Sequence, residues 1–505
     1  MQDAALISLS AYFILMMAIG YYGYRNATSD VAEYMLGGRR LHPAVGALSA
    51  GASDMSGWML MGLPGAVYLT GLSSAWIAVG LIIGAYFNYL LVAPRLRVYT
   101  EMADDALTIP DFFEKRFHDT SRSLRILSSI VIIIFFTLYT SSGVVAGGKL
   151  FEVSFGLDYE IGLFLTAGVV VAYTLFGGFL AVSITDFVQG CIMFVALILV
   201  PTVALVDLGG YDNATEQISS VDINLLGWFS GITALGLISS LSWGLGYFGQ
   251  PHIIVRFMAI RTLGSIKTAR HIGMSWMMVT VVGAVATGLV GLAYTTATGS
   301  PLADPETIFI YLSQVLFHPF ITGFLLAAIL AAIMSTISSQ LLVSSSSLTQ
   351  DFYKTFVHRS ASQRELVFIG RLSVLAVSLA AIGLSFDRSS SILTLVSNAW
   401  AGFGAAFGPV ILLSLYWRKM TRNGALAGMI TGAVTVLIWI YAPIEINNQP
   451  LTAYLYEIVP GFTLAFAAII VTSLLDREPD ASITKRHDSV VLTIGEHGIA
   501  RTGSV

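Results

Sequence analysis

Apolar runs of about twenty residues recur along this chain and constrain its fold more than any other feature. A helix needs about 20 consecutive apolar residues to cross a bilayer, and about thirteen segments here meet that description. Charged residues make up only 11% of the 505 residues, against about 25% in soluble domains. The runs are continuous rather than alternating, so they favour helices over a membrane β-barrel. The predicted spans are 4–24, 43–69, 73–94, 123–149, 160–179, 183–206, 228–250, 272–297, 317–347, 367–385, 390–416, 423–442 and 453–475.

The basic residues predict on which side of the membrane each connection lies, because Lys and Arg are enriched in cytoplasmic connections. With the N-terminus outside, the inner connections and the tail hold all of the 26 basic residues except Lys149 and Arg388. The outer segment 207–222 is acidic and contains no Lys or Arg. We therefore expect a multi-pass protein of the plasma (inner) membrane, with its N-terminus outside and its C-terminus in the cytoplasm.

Ten of the spans divide into two sets of five, and because five is odd the second set would enter the membrane from the opposite side. Inverted repeats of this kind are typical of secondary transporters, in which discontinuous helices form the substrate site. The predicted organisation is a transmembrane transporter domain over 1–475, with an extra N-terminal helix over 4–24, a first repeat over 43–206, a second repeat over 228–416 and two C-terminal helices over 423–475, followed by a tail over 476–505. The polar, mixed-charge tail is expected to be poorly ordered.

Asp54 is the most unusual residue within the spans. A carboxylate at the centre of a bilayer costs ~2.5–3.5 kcal/mol on insertion scales and usually marks function. The surrounding stretch 50–57 is rich in small and hydroxyl residues, which suits a place where a helix breaks and lines a cavity. An Asp paired for purely structural reasons is the alternative. We interpret the stretch as an ion or substrate site at a broken helix.

A second weak stretch, 239–251, lies in the first span of the second repeat. It contains three glycines, three serines and a terminal proline, so both repeats are predicted to begin with an interrupted helix. Trp243 and Tyr247 are four residues apart and would share a helical face, where they could form an aromatic wall over a small ligand. An interfacial aromatic belt or core packing is the alternative, but their place beside the interruption favours the pocket. Trp58 and Tyr139 are further candidates of the same kind.

Hydroxyl residues in the ninth span suggest a cation site. Ser335 and Thr336 could contribute neutral oxygens, although membrane hydroxyls often only bond their own helix. Carbonyl groups of an unwound helix at Ala52 and Met55 could complete the shell, by analogy with other oxygen sites for hard cations. Asp54 would then lie in the shell or close by, or would bind a proton.

Asp186 is predicted near an inner membrane end, where two interpretations remain open. It could lie on the exit route of the ion. Its position at the start of the span 183–206 would equally suit a helix-capping carboxylate.

Six strings of this sequence together closely resemble the sodium/solute symporter family, and within it the members that carry proline. The resemblance extends over about residues 5–475. The strings are 36–39, 49–58, 61–66, 243–252, 334–336 and 400–409.

The resemblance implies a LeuT-like fold of thirteen helices that couples sodium influx to uptake of L-proline. It implies that Asp54 is needed for sodium affinity and that Asp186 lies on the inward ion path, although Ile184 replaces a Trp that the family often has there. The implied sodium ligands are the carbonyls of Ala52, Met55 and Ala332 and the hydroxyls of Ser335 and Thr336. The implied substrate residues are Ser56, Gly57, Trp58, Tyr139, Trp243, Tyr247 and Pro251.

The expected partners are therefore L-proline, sodium and the lipid bilayer, with no cofactor besides the coupling ion, no nucleic acid and no obligatory protein partner. A sodium-coupled symporter for another amino acid, a sugar or a vitamin is the main alternative. A channel would conduct faster than a carrier, and a sensor would need a cytosolic output domain that these short loops do not encode. An enzyme is not expected, because the spans lack clustered His, Cys or paired carboxylates.

Overall fold

The computed structural model describes residues 2–26, 31–387 and 391–496, and these are almost entirely helical. Within them, 10 helices are long and apolar enough to cross a membrane, and Tyr159–Leu175 is a shorter apolar helix. The predicted count of thirteen spans stays a prediction, since several spans are interrupted or merged. Arg388 lies outside the described residues.

The α-helices and the one small hairpin are as follows. The first half of the chain forms α1 (Gln2–Asn26), α2 (Val31–Leu36), α3 (Pro43–Asp54), α4 (Leu63–Thr70), α5 (Ala75–Phe87), α6 (Ala93–Met102), α7 (Ile109–Arg116), α8 (Ser123–Phe155), α9 (Tyr159–Asp207), α10 (Tyr211–Asp222) and α11 (Ala234–Ser242). The second half forms α12 (Pro251–Ala259), α13 (Ser265–Thr298), α14 (Ile308–Leu316), α15 (Pro319–Ser346), α16 (Gln363–Leu384), α17 (Ile392–Tyr416), α18 (Arg422–Tyr441), the antiparallel strands β1 (Glu445–Ile446) and β2 (Gln449–Pro450), α19 (Leu451–Tyr454), α20 (Ile458–Leu475) and α21 (Ala481–Glu496).

Short 3₁₀ turns and π-helical segments connect several of these helices. The 3₁₀ turns are Gly37–Arg39, Gly71–Ser74, Ile223–Leu226, Trp243–Gly249 and Pro305–Thr307, and the π-helical segments are Trp58–Gly62, Asn88–Val92 and Ser347–Val357. Such irregular turns within helices often mark functional positions.

The first predicted interruption is present. Helix α3 begins with Pro43 at its first turn and ends at Asp54, after which Met55 leaves the helical conformation (φ −83°, ψ 76°). The chain resumes through a π-helical turn into α4. Gly57 allows close packing here, because a Cβ atom would lie 3.0 Å from the side chain of Ala146. The sequence prediction of a break within 50–57 is confirmed.

The second interruption is also present, at the end of the 3₁₀ turn Trp243–Gly249. Gln250 is extended (φ −79°, ψ 106°), and Pro251 starts the next helix, where its missing N–H costs nothing. Two glycines bring this turn against α17. A Cβ atom on Gly246 would lie 1.9 Å from the Trp400 indole nitrogen, and one on Gly249 would lie 2.3 Å from the Phe403 carbonyl oxygen.

The two broken helices are tied together at one end. The backbone N–H of Leu41 donates to the Ala259 carbonyl at 3.2 Å, and the N–H of Arg261 donates to the Leu41 carbonyl at 3.2 Å. Thus the start of α3 lies beside the end of α12, so these two half-helices run in opposite directions. This is the arrangement that an inverted repeat requires.

Helix α9 contains the boundary between two predicted spans, 160–179 and 183–206. Gly178 adopts φ 60° and ψ −166°, which separates two helical segments without a loop. Only glycine readily adopts this conformation. The second segment therefore starts just after Gly178, earlier than the sequence predicts.

The prediction of a poorly ordered tail is wrong for Ala481–Glu496, which form α21. Ile483, His487, Val490 and Ile494 are buried along one face, and the helix packs on α6. The pKa of His487 is lowered to about 4 because its ring is buried and faces Arg116 and Arg95. The buried residues of the tail recur with the 3.6-residue period of an amphipathic helix. The charged residues between them make this period hard to recognise in the sequence. Residues 497–505 lie outside the described residues.

Candidate functional site

The first break meets α15 through neutral oxygen atoms. The Ser335 hydroxyl donates to the Ala52 carbonyl at 2.7 Å and lies 3.1 Å from the Ala332 carbonyl. The Thr336 hydroxyl donates to the same Ala332 carbonyl at 3.1 Å. All four residues are buried. Four of the five residues predicted to ligate sodium are thus directly connected, and Met55 lies at the end of the same half-helix.

Asp54 joins the two breaks. Its Oδ2 atom accepts a hydrogen bond from the Tyr247 hydroxyl, and its Oδ1 atom has no hydrogen-bond partner among the residues that the structure describes. Its backbone carbonyl accepts from the Trp58 indole at 3.1 Å and from the Tyr139 hydroxyl at 3.5 Å. The carboxylate is 1% exposed, so a carboxyl group from the first broken helix is held by a phenol from the second.

Ser56, Gly57 and Pro251 also lie at the breaks. Ser56 is buried, next to Tyr139. Gly57 packs against Ala146 and Ile333, and Pro251 begins α12 beside Gln250. The predicted substrate residues Ser56, Gly57, Trp58, Tyr139, Tyr247 and Pro251 are therefore all part of, or in contact with, the two interrupted segments.

Trp243 does not share a face with Tyr247, contrary to the sequence prediction. The segment is a 3₁₀ turn with three residues per turn, so residues four apart diverge. The Trp243 ring stacks on Tyr456, with centroids 5.3 Å apart. The Tyr247 ring instead contacts Trp400 edge to face at 5.1 Å, and the Trp400 indole donates to the Trp243 carbonyl at 2.8 Å.

A cavity lies beside Asp54, between α3, α5, α12 and α13. We call it the Asp54 cavity. Its polar side chains are Asp54, Asn88, Tyr89 and Tyr247. The rest of its lining is Ala47, Ala50, Gly51, Met55, Ala85, Ile253, Phe257, Gly273, Met274 and Met277.

A match to a protein-family model decides the class of this molecule. Residues 34–432 match the model described as the sodium:solute symporter family. The chain belongs to the sodium:solute symporter family. It is therefore a multi-pass membrane transporter, in agreement with its apolar helices.

Curated relatives are similar over almost the whole chain. The osmoregulated proline transporter OpuE of Bacillus subtilis is 60% identical, over 95% of this chain and 96% of the relative. The high-affinity proline transporter PutP of the same organism is 58% identical over 95% and 100%. A sodium/proline symporter of Staphylococcus aureus is 55% identical over 94% of each chain.

Solved structures confirm the predicted LeuT-like fold class of this symporter. A sodium-coupled sialic acid symporter in a substrate-bound, outward-open state superposes with a TM-score of 0.80 at 18% identity, over 94% of this chain and 99% of that one. The nucleobase-cation symporter Mhp1 in a closed conformation superposes with a TM-score of 0.55 at 11% identity, over 92% and 99%. At these identities the likeness shows the fold alone.

Asp186 of this symporter lies within α9, eight residues after Gly178, so its interpretation as a helix cap is wrong. It is fully buried and pairs with Arg256 at 3.2 Å. Its Oδ2 atom also accepts from the Ser49 hydroxyl at 2.7 Å and lies 3.4 Å from the Ser339 hydroxyl. No described residue bonds its Oδ1 atom, so the cluster as described keeps one free carboxylate oxygen.

Sequence reasoning missed Arg256, Ser49 and Ser339 as neighbours of Asp186. In the sequence, Arg256 is one of the basic residues of the inner connections, but its side chain is fully buried. The pairing joins positions 70 residues apart, and no local spacing shows such a contact. Trp400 and Tyr456 were missed for the same reason.

The described residues contain no group of three or more His, Cys, Asp or Glu able to hold a metal ion. A cation bound between α3 and α15 would therefore meet mainly neutral carbonyl and hydroxyl oxygens. Such ligands suit a hard monovalent cation, and their small total charge allows the ion to be released again.

Proposed function

We propose that this symporter imports L-proline together with sodium across the plasma (inner) membrane by alternating access. The relatives named as proline transporters and sodium/proline symporters, at 55–60% identity, support the substrate. The observation that carries the mechanism is the junction of the two breaks, where Ser335 meets Ala52 and Tyr247 meets Asp54. The positive-inside pattern supports an outer N-terminus and a cytoplasmic C-terminus.

Sodium would bind between α3 and α15. In this proposal the carbonyls of Ala52, Met55 and Ala332 and the hydroxyls of Ser335 and Thr336 replace its hydration shell. The Ser335 hydroxyl, which now donates to Ala52, would turn its proton away so that its lone pair faces the ion. The bound ion would then tie the broken helix to α15. Asp54 would supply negative charge nearby.

L-Proline is a small zwitterion with an apolar ring. Its carboxylate would meet the N-terminal end of the half-helix that begins after the first break, at Ser56, Gly57 and Trp58, where backbone N–H groups and the helix dipole favour an anion. The rings of Tyr139, Trp243 and Tyr247 would pack on or near the pyrrolidine, and Pro251 would border the site. A cationic amine beside an aromatic face gains further stabilisation.

Sodium and proline would raise each other's affinity by the same factor, because binding free energies are linked. One sodium ion moving down a potential of about 100 mV releases about 2.3 kcal/mol, and a tenfold concentration ratio adds about 1.4 kcal/mol. These two terms support accumulation of proline by a few hundredfold. Asp186, with its free Oδ1 atom, would receive the ion on its inward path.

Uptake of labelled L-proline into proteoliposomes that contain only this chain tests the proposal. An inward sodium gradient should drive uptake above the equilibrium level, and a matched potassium or choline gradient should not. Excess unlabelled proline should compete, whereas a sugar, a vitamin or an unrelated amino acid should not. Sodium-independent uptake, or stronger competition by another solute, would overturn the assignment. Activity without added proteins would also support the absence of an obligatory protein partner.

A further inference from the structure

The face of α5 that packs on the second broken helix ends in an asparagine. Gly80, Gly84 and Asn88 follow one another at intervals of four residues and so share a face. A Cβ atom on Gly80 would lie 2.5 Å from the Leu241 carbonyl oxygen, and one on Gly84 would lie 2.2 Å from the Gly244 carbonyl oxygen. The two glycines thus allow direct backbone contact. One turn later, at the start of a π-helical segment, the face presents Asn88.

Asn88 is 1% exposed, and within the described part of the chain its side-chain oxygen has no hydrogen-bond partner. An unpaired buried amide oxygen costs about 1–3 kcal/mol, so a purely structural asparagine would normally be bonded to a neighbouring helix. Asn88 instead lines the Asp54 cavity. Asp54 lines the same cavity, and its Oδ1 atom is also buried without a hydrogen-bond partner among the described residues.

Two free acceptors in one apolar cavity restrict the ligand that the cavity can bind. The Tyr247 hydroxyl is already used by Asp54 Oδ2. The Tyr89 hydroxyl packs against Gly273, where a Cβ atom would lie 2.8 Å from it. A hard cation needs more oxygens than this to replace its water shell. A secondary ammonium group has only two N–H donors and carries apolar carbon on both sides.

We propose that Asn88 and the free oxygen of Asp54 bind the secondary ammonium group of the substrate, each accepting one of its two N–H donors. The proposal rests on the assignment of proline as substrate and extends its binding site to α5, which none of the predicted site residues includes. Asn88 is then a specificity-determining residue.

The test compares proline with N-methylproline, which keeps one N–H. In the wild type, the methyl group should take the position of the N–H that faces Asn88, and the Asn88 oxygen should lose its donor. We expect N-methylproline to bind about tenfold more weakly than proline, as measured by competition against labelled proline uptake. In Asn88→Ala, proline itself should bind about tenfold more weakly, and its advantage over N-methylproline should shrink to less than about threefold, as in a double-mutant cycle.

A sodium measurement separates ammonium binding from a second sodium site. The sodium concentration for half-maximal uptake, measured at saturating proline, should be the same in Asn88→Ala and the wild type. A several-fold increase there would instead assign the two oxygens to sodium and overturn the proposal. An unchanged preference for proline over N-methylproline in Asn88→Ala would show that the cavity holds only water, which would also overturn it.

Matched controls make both outcomes decisive. Asn224→Ala removes an exposed asparagine of the 3₁₀ turn Ile223–Leu226. It should change neither the preference for proline over N-methylproline nor the sodium concentration for half-maximal uptake. If Asn88→Ala is not recovered from the membrane, Asn88→Leu removes the same acceptor at similar volume and decides the question. Failure of the wild type to transport proline with sodium would contradict the proposed function. Normal wild-type transport, with an unchanged proline preference in Asn88→Ala, would contradict only this inference.

Discussion

At the scale of single residues, the site depends on side chains that form hydrogen bonds with groups at the two breaks. Asp54 contributes a carboxylate that is satisfied at one oxygen by Tyr247 and free at the other. Ser335 contributes a hydroxyl that reaches both Ala52 and Ala332. In a membrane interior these contacts are strong because water does not compete with them. Small changes at these positions should therefore alter affinity without removing the fold.

We predict that Asp54→Asn raises the sodium concentration for half-maximal uptake by at least tenfold. The substitution keeps the shape and the contact with Tyr247 but removes the negative charge, and a charge-assisted interaction contributes about 1.5–3 kcal/mol. Tyr247→Phe should produce a smaller increase, because the carboxylate stays charged. Sodium titrations of uptake in proteoliposomes measure both. An unchanged sodium dependence in Asp54→Asn would remove Asp54 from the ion site.

Ser335→Ala should weaken sodium activation by several-fold to about tenfold, since one neutral ligand is lost. Ser338→Ala is the matched control. Ser338 is equally buried on α15, but its hydroxyl donates to the Ser335 carbonyl at 3.1 Å and bonds with the Tyr173 hydroxyl, not with Ala52. Equal effects of the two variants on the sodium titration would contradict the proposed position of the ion.

At the scale of helices, glycine decides how closely the broken segments approach their neighbours. The sequence shows the weak stretches, because glycine, serine and proline cluster at 50–57 and 239–251. It does not show that the second stretch becomes a 3₁₀ turn, and for this reason the predicted shared face of Trp243 and Tyr247 is wrong. The turn arises where Gly246 and Gly249 pack on α17, a contact between residues that are distant in sequence.

Gly246→Ala should therefore destabilise the protein by about 1–3 kcal/mol or more, as overpacking does. The new Cβ atom would lie 1.9 Å from the Trp400 indole, which is itself buried and bonded to Trp243. Thermal unfolding in detergent measures the loss. Gly168→Ala is the control, since nothing lies within 4 Å of its Cβ position. A normal melting temperature for Gly246→Ala would show that the turn is not constrained there.

Helix α21 should detach from α6 in acid. The pKa of buried His487 is lowered to about 4, below its ordinary value of about 6.5, so docking favours the neutral ring. The stabilisation is complete above about pH 6.5 and is lost as the pH falls toward 4. A spin label at exposed Ser489 should become more mobile over this range. His487→Gln, which cannot be protonated, should abolish the pH dependence, and a pH-independent label in the wild type would contradict the prediction.

At the scale of the whole molecule, the sequence predicts the class of fold because hydropathy, charge asymmetry and the two interruptions agree with one another. It does not predict which residues meet across the interior. Asp54 and Tyr247 are 193 residues apart, and Ser335 and Ala52 are 283 apart, so their contacts depend on tertiary packing. The same limit applies to Asp186 and Arg256. The sequence also does not indicate that α21 forms and packs, because its apolar residues are few and are separated by charged ones.

The central claim is that the two breaks form one site in which sodium and proline stabilise each other. Equilibrium binding of labelled L-proline to the purified protein, measured in sodium and in choline, tests it most directly. We predict that sodium tightens proline binding by at least fivefold, that proline tightens sodium binding by the same factor, and that Ser335→Ala reduces both effects equally. Proline binding of equal strength in sodium and in choline would contradict the account.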